Sequence, residues 1–301
     1  MPARVARSRR SWLRRAVRTP QFWFGGAVLA PTLVWYALLQ FGPLLEAFYF
    51  SVIAVRILNL LGGKFIGLSN YGELFDAAIR SGFGLAMANT VLWTILQFAT
   101  VFPLALLTAT CLTTVTRGRT VYQIVLFLPF VTPVVVVSQI MGQFFAPRGG
   151  LASAVLQAVD LPWRWLADPA FAGAMGAYIG AWHWLGFYTV LLTAGLLNIP
   201  QEVRDAASVD GAYGARLFRH ITLPLIGHIL VVVLVLLLIN AVQESTLGIA
   251  GAEMVTTAIT NLAFGQDLLI GPGAAGGALV CVGTLVVGLL IIKLLRPTWS
   301  Y

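Results

Sequence analysis

The chain has 301 residues, of which 59% are apolar and only 10% are charged, and its formal net charge is +8. Such a composition excludes an ordinary soluble globular domain. In a soluble protein this excess of positive charge would suggest nucleic acid as a partner. Here seven arginines lie between Arg4 and Arg18, directly before an apolar run. They favour contact with anionic membrane lipid, so we predict a basic arm over residues 1–20 and no nucleic-acid partner.

Six long apolar segments follow the arm. A helix needs about 20 predominantly apolar residues to cross a bilayer core of roughly 30 Å. The segments that satisfy this are about 22–41, 83–111, 121–145, 171–197, 225–242 and 274–295. No alternating pattern typical of membrane β-strands is present, and lipid cannot satisfy open backbone groups. The sequence therefore predicts an all-α integral membrane protein, with a six-helix domain over 21–301.

The basic residues predict the orientation of these spans. If the N-terminus is cytoplasmic, fourteen of the nineteen Lys and Arg residues lie on the cytoplasmic side and five on the outer side. The positive-inside rule favours this arrangement. Both termini are thus predicted to be cytoplasmic, as is the segment between the fourth and fifth spans.

Two features of the remaining segments carry structural predictions. In the first outer segment, Gly67 and Asn70 suit turns, and residues 71–79 could form a short interfacial helix. In the third span, Pro129 and Pro133 stand four residues apart, so that two backbone hydrogen bonds are lost on one face. We predict a kink there that shapes packing rather than a moving hinge. Trp163 and Trp165, in the second outer segment, suit the lipid headgroup level.

A polar segment, residues 198–224, interrupts the apolar pattern between the fourth and fifth spans. Glu202 favours the positive end of a helix that starts after Pro200. Ala206 and Ala207 are strong helix formers with so little bulk that a partner surface can approach closely. Gly211 can adopt a positive φ and end this helix. We expect small residues and acids to face outward.

A second short helix is predicted over about 212–221, where Phe218 and Ile221 recur at helical spacing before Pro224 opens the fifth span. Two interpretations of the polar segment are possible. It could rest on lipid headgroups as an amphipathic connector, which Arg216 would suit, or it could dock on a partner protein.

The spacing of this segment resembles the coupling loop of binding-protein-dependent ABC importer permeases, Glu-Ala-Ala-x3-Gly-x9-Ile-x-Leu-Pro, and favours docking. Asp205 stands at the position where the family usually has glutamate. Three further segments also resemble the family: Phe-x-Gly-Leu-x-Asn-Tyr at 65–71, Leu-Pro-x3-Pro at 128–133 and Trp-x3-Gly-Phe at 182–187. The first and last of these indicate the branch that handles carbohydrates and solutes like glycerol phosphate.

The resemblance implies the type I importer permease fold, with a cytoplasmic coupling helix between spans 4 and 5 that docks on an ATPase. It also implies the partners: a second homologous permease, an ATPase dimer and an extracytoplasmic substrate-binding protein, in a bacterial or archaeal cytoplasmic membrane. ATP and Mg would bind to the ATPase, so this chain would carry no cofactor and would not be an enzyme. The residues implied in coupling are Glu202, Asp205, Ala206, Ala207, Asp210, Gly211, Ala212, Phe218, Ile221, Leu223 and Pro224.

Polar and aromatic residues within the spans are candidates for the solute path, because polar groups at membrane depth usually face a cavity. Sugars present flat C–H faces to aromatic rings and hydroxyls to amides. The candidates are Trp182, Trp184, Phe187 and Tyr188 around His183 in the fourth span, Asn240, Gln243 and Glu244 in the fifth, and Gln139 and Gln143 in the third. An interfacial aromatic belt with core packing is the alternative for the aromatic residues.

Catalytic and metal-binding patterns are missing from the sequence. No Gly-x4-Gly-Lys-Ser/Thr loop could cradle a nucleotide, and the three histidines share no ligand spacing with acids or cysteines. A membrane enzyme is therefore disfavoured, and a secondary transporter would show internal inverted repeats that we do not find. The predicted function is a membrane subunit of an ATP-driven importer that forms part of the translocation path for a sugar, meaning a di- or oligosaccharide or a related polyol or sugar ester. A permease of the same architecture for a polyamine, phosphate ester or metal chelate is the nearest alternative.

Overall fold

The computed structural model describes residues 20–56, 59–162, 168–244, 253–265 and 268–295. Residues 1–19 of the predicted basic arm, Trp163 and Trp165 lie outside these ranges. Within them the regular secondary structure is helical, apart from one two-stranded hairpin. By length and composition, three described helices could cross a membrane, or up to five if each of two sharply bent pairs is one span. The predicted count of six spans stays a prediction.

The first predicted span is a rod that extends well past its predicted end. It consists of helix α1 (Pro20–Tyr36), a π-helical turn (Ala37–Phe41) and helix α2 (Gly42–Phe50). None of its most apolar window is buried against the rest of the chain. Lipid or another protein surface must therefore cover it.

The outer segment that follows contains a hairpin that the sequence did not predict. Strands β1 (Ile53–Arg56) and β2 (Asn59–Phe65) pair antiparallel, with Ile53 opposite Phe65. Helix α3 then spans Ser69–Leu74, and helix α4 spans Ala77–Thr114. The short helix predicted over 71–79 was therefore misplaced, because Asp76 adopts an extended conformation with ψ of 154° and separates the two helices.

Asn70 joins this outer segment to the last span. Its side chain is 3% exposed, and its amide nitrogen donates to the carbonyl oxygens of Ser51 and Ile53 at 2.9 and 3.0 Å. Gly271 packs against the same amide so closely that a Cβ there would lie 2.8 Å from the Asn70 nitrogen. Gly67 adopts a φ of +62°, which confirms the predicted turn. Asn70 is a buried connector rather than a turn residue.

The third predicted span is broken. Helices α5 (Arg119–Val131) and α6 (Val134–Phe144) meet at an angle of 87°, and helix α7 (Leu151–Ala158) follows. The predicted kink is confirmed and is much sharper than a simple proline bend. Pro133 lacks the N–H that would bond the Pro129 carbonyl in a continuous helix. The Thr132 N–H donates to that carbonyl instead, at 3.2 Å.

The remaining helices complete the bundle. Their bounds are α8 Pro169–Leu197, α9 Gln201–Val209, α10 Gly214–Leu217, α11 Leu223–Leu225, α12 Gly227–Gln243, α13 Val255–Phe264 and α14 Ile270–Leu294. A π-helical turn (Phe218–Thr222) links α10 to α11, and the chain bends by 75° between α11 and α12. At about 1.5 Å per residue, the 29-residue α8 exceeds the thickness of a bilayer core.

The largest buried cluster lies where α4, α8 and α12 meet. Val101, Tyr188, Leu192, Val233 and Leu237 are each at most 2% exposed there. A second cluster joins α4, α13 and α14 around Phe83 and Val255. Because α4 takes part in both clusters, it joins α8 and α12 to α13 and α14 in one packed body.

Candidate functional site

The predicted coupling segment begins with helix α9, and its stop at Gly211 has a well-defined geometry. Gly211 adopts a φ of +71°. The Gly211 N–H donates to the Ser208 carbonyl at 3.1 Å, and the Ala212 N–H donates to the Ala207 carbonyl at 2.9 Å. These two bonds are those of a Schellman motif, whose usual apolar contact is supplied by Ala207 and Ala212, at 3% and 8% exposure. The prediction of a helix ended by glycine is confirmed.

The predicted coupling residues divide into an exposed and a packed set. The exposed ones are Glu202, Asp205, Ala206, Asp210, Gly211 and Pro224, while Phe218, Ile221 and Leu223 are half-buried. The expectation that both alanines face outward was wrong for Ala207, because it forms the inner contact of the helix stop. The sequence also missed Val209 and Tyr213, which are 88% and 66% exposed beside the turn.

The segment is attached to one end of the helical bundle. Arg204 Nη2 donates to the Leu196 carbonyl at the end of α8, at 2.8 Å. A groove of about 740 Å³ lies alongside, between Thr110–Thr114 of α4 and Gly214–Phe218. Asp205 is exposed and accepts a hydrogen bond from Gln201 Nε2 at 2.9 Å. Glu202, Asp205 and Ala206 thus lie exposed on one side of α9, and together with Asp210 and Gly211 at its end we call them the exposed ridge.

The second candidate region is an aromatic cluster formed by α5 and α8. Phe130 stacks on Phe187, with ring centroids 4.7 Å apart and planes 22° from parallel. Trp184 lies 5.4 Å from Phe130 and 6.1 Å from Tyr188. Three of the four predicted aromatic residues are thus brought together. Phe130 was missed, although its place between Pro129 and Pro133 marks it as part of the broken helix.

Gly186 allows this close approach of α5 to α8. A Cβ at this position would collide with the Leu126 carbonyl and would lie 2.8 Å from the Cα of Phe127. The glycine in the Trp-x3-Gly-Phe segment is therefore needed so that one helix backbone can touch another.

The polar candidates of α12 face in different directions. Asn240 Nδ2 donates to the hydroxyl of Tyr188 at 3.0 Å, which places it at the aromatic cluster. Gln243 instead lines an apolar groove of about 550 Å³ between α12, α13 and α14, together with Thr256 and Gly277. Asn240 and Gln243 therefore contact different neighbouring elements in this structure. Residues three apart, such as Asn240 and Gln243, lie near one face of a helix. Here different neighbouring helices pack against the two ends of that face.

The other candidates are placed apart from the cluster's centre. Glu244 is 8% exposed at the end of α12 and interacts electrostatically with His183. Trp182 is 39% exposed and turned outward, and Gln139 and Gln143 are exposed on α6, beyond the break. Among the residues that the structure describes, no three His, Cys, Asp or Glu side chains come together as a metal site would require.

Comparison with known proteins places these features in a family. Residues 101–299 match the family described as the binding-protein-dependent transport system inner membrane component. Because this match covers most of the chain, the chain belongs to that family of multi-pass membrane transport components.

Individual relatives and a solved structure agree with this assignment. The chain is 29% identical over 266 residues to the arabinooligosaccharide transport system permease of Bacillus subtilis, covering 82% of this chain and 83% of that protein. It is 28% identical over 200 residues to the sn-glycerol-3-phosphate transport system permease of Agrobacterium fabrum, covering 66% and 67%. Its fold matches a chain of a bacterial alginate ABC transporter, crystallised with an alginate pentasaccharide-bound periplasmic protein. The TM-score there is 0.74 at 23% identity, over 92% of this chain and 95% of the other.

Proposed function

We propose that this chain is a membrane-spanning subunit of an ATP-driven importer and that it forms part of the translocation path for a sugar. The proposed coupling to an ATPase rests on the exposed ridge around Asp205, which ends in the Schellman motif at Gly211. A rigid helix stop holds Asp205 and Ala206 on a fixed surface. Such a surface suits docking in a cleft of an ATPase, which would bind and hydrolyse ATP with Mg.

The aromatic cluster supports the carbohydrate part of the proposal. Relatives of the chain are named for arabinooligosaccharides and for sn-glycerol-3-phosphate. The rings of Phe130, Trp184 and Phe187 offer apolar faces, while Asn240 and Tyr188 offer hydrogen-bonding groups. None of these five residues is cationic, and a phosphate group is usually recognised by arginine or lysine. The cluster therefore favours a neutral sugar over a phosphate ester.

The proposed assembly contains four kinds of subunit. A second homologous permease would cover part of this chain's exposed apolar surface, and an extracytoplasmic binding protein would deliver the solute. The solute path would alternate between inward-facing and outward-facing states as the ATPase dimer closes and opens. In this arrangement six spans cross the membrane and both termini are cytoplasmic, as the distribution of Lys and Arg favours.

Purification of the complex through a tag on this chain tests the proposal. An ATPase and a second permease should co-purify, and the reconstituted complex should take up neutral di- or oligosaccharides with binding-protein-stimulated ATP hydrolysis. Absence of any ATPase from the purified complex would refute the importer assignment. Uptake of sn-glycerol-3-phosphate without any neutral sugar would leave the importer intact and overturn the choice of solute.

A further inference from the structure

Four polar atoms lie without hydrogen-bond partners in the packed interior near helices α4 and α8. They are Trp93 Nε1, Gln97 Nε2, Gln97 Oε1 and His183 Nδ1. The three side chains are only 1%, 2% and 3% exposed. A buried polar group without a partner is costly, and most buried groups in folded proteins have one. Three of the four unpaired atoms belong to Trp93 and Gln97 on one helix, and we looked for a function that would explain them.

The Trp93 and Gln97 side chains converge at Gly180. Trp93 and Gln97 are one helical turn apart on α4, so they share a face. A Cβ on Gly180 of α8 would press against the Trp93 ring and would lie 2.8 Å from Gln97 Nε2. His183 lies one turn further along α8 than Gly180, on the adjoining face. The contact of α4 with this glycine is what closes the space around the polar atoms.

The unpaired atoms include both donors and acceptors. The indole N–H and the amide NH2 are donors, and the amide oxygen is an acceptor. His183 Nδ1 can donate or accept, according to the tautomer of the ring. Two donors are unsuited to a metal cation, and none of the three side chains is a carboxylate. The set suits hydroxyl groups, beside the flat face of an indole ring.

We propose that Trp93, Gln97 and His183 form a latent solute-binding site that is closed in this structure by the contact of α4 with Gly180. When α4 and α8 separate during transport, hydroxyl groups of the solute bond these polar atoms. The inference rests on the proposed function, in that the solute is taken to be a carbohydrate. It adds two residues of α4 to a path that the sequence located in the third, fourth and fifth spans.

Cysteine accessibility tests whether the site opens. Cys111 and Cys281 are both exposed and are first replaced by alanine. Gln97→Cys is then introduced into the full complex in proteoliposomes, and the rate of labelling by a small charged methanethiosulfonate is measured without nucleotide and after vanadate trapping. We expect at least a tenfold difference between the two states. Ala105→Cys, two turns along α4 and fully buried, is the matched control and should stay unlabelled in both.

Two further variants test what the site does. Gln97→Leu keeps the size of the side chain and removes its polar atoms, so kcat/KM for sugar uptake should fall about tenfold, chiefly through KM. Gln157→Leu, at an exposed position on α7, is the control and should leave KM unchanged. Gly180→Ala should hold the two helices apart and speed labelling of Gln97→Cys in the nucleotide-free state.

The outcomes separate this proposal from the proposed function. Labelling of Gln97→Cys that is absent, or equal in both states, in a complex that hydrolyses ATP normally would overturn the latent site. An unchanged KM in Gln97→Leu, with a raised melting temperature, would show that Gln97 is only a packing residue. If state-dependent labelling persists but no sugar is transported, the site opens as proposed and the choice of solute is wrong.

Discussion

Replacement of Gly211 tests the link between the helix stop and transport. Its φ of +71° lies in the left-handed region, and no atom lies within 4 Å of the place where a Cβ would be. A side chain there would meet no steric clash, so its whole cost is conformational. For an L-residue that cost is about 1–2 kcal/mol, and asparagine tolerates the conformation better than other residues. A change of this size shifts an equilibrium about 5–30-fold.

We therefore expect Gly211→Val to lower coupled uptake about 5–30-fold, while the protein still inserts and Gly211→Asn stays close to wild type. Uptake and binding-protein-stimulated ATP hydrolysis in proteoliposomes give the measurement. Gly72→Val is the matched control, since Gly72 is exposed, has open space around it and lacks a positive φ. Equal activity of the Val and Asn variants of Gly211, whether both active or both inactive, would refute the conformational reasoning.

Three further predictions concern other parts of the chain. Asp205→Lys should reduce co-purification of the ATPase, whereas Asp205→Glu should retain it; wild-type stoichiometry in the Lys variant would count against docking. Asn240→Ala removes a 3.0 Å bond to Tyr188, which contributes about 0.5–1.5 kcal/mol, and should raise the KM for uptake several-fold. Gln243→Leu changes a side chain in a separate groove and should leave that KM unchanged. An equal rise of KM in the Asn240 and Gln243 variants would show that both residues contact the solute path. Gly186→Ala forces a methyl group into the backbone of α5, so the melting temperature should fall by an amount corresponding to about 1–3 kcal/mol. An unchanged melting temperature would contradict this contact.

Local sequence determined the features that depend on neighbouring residues alone. The approximate positions of the long helices follow from runs of apolar residues, because both helix formation and membrane insertion depend on a continuous stretch of chain. The end of α9 follows from Ala207, Gly211 and Ala212, whose hydrogen bonds all lie within six residues. The kink in the third span follows likewise from Pro133, which removes a hydrogen bond within one turn.

Tertiary structure decided the features that join residues far apart in the chain. The angle of 87° at the broken helix could not be predicted from Pro133, because it also depends on how α5 packs against α8, where Phe130 stacks on Phe187 and Gly186 lies against the α5 backbone. Asn240 and Gln243 are three residues apart, yet Asn240 bonds Tyr188 of α8, whereas Gln243 lines the groove beside α13. Trp93 and Gln97 looked like ordinary residues of an apolar span. Only the contact with Gly180 shows that their polar atoms are closed off together, since hydrogen-bond satisfaction is a property of the packed structure.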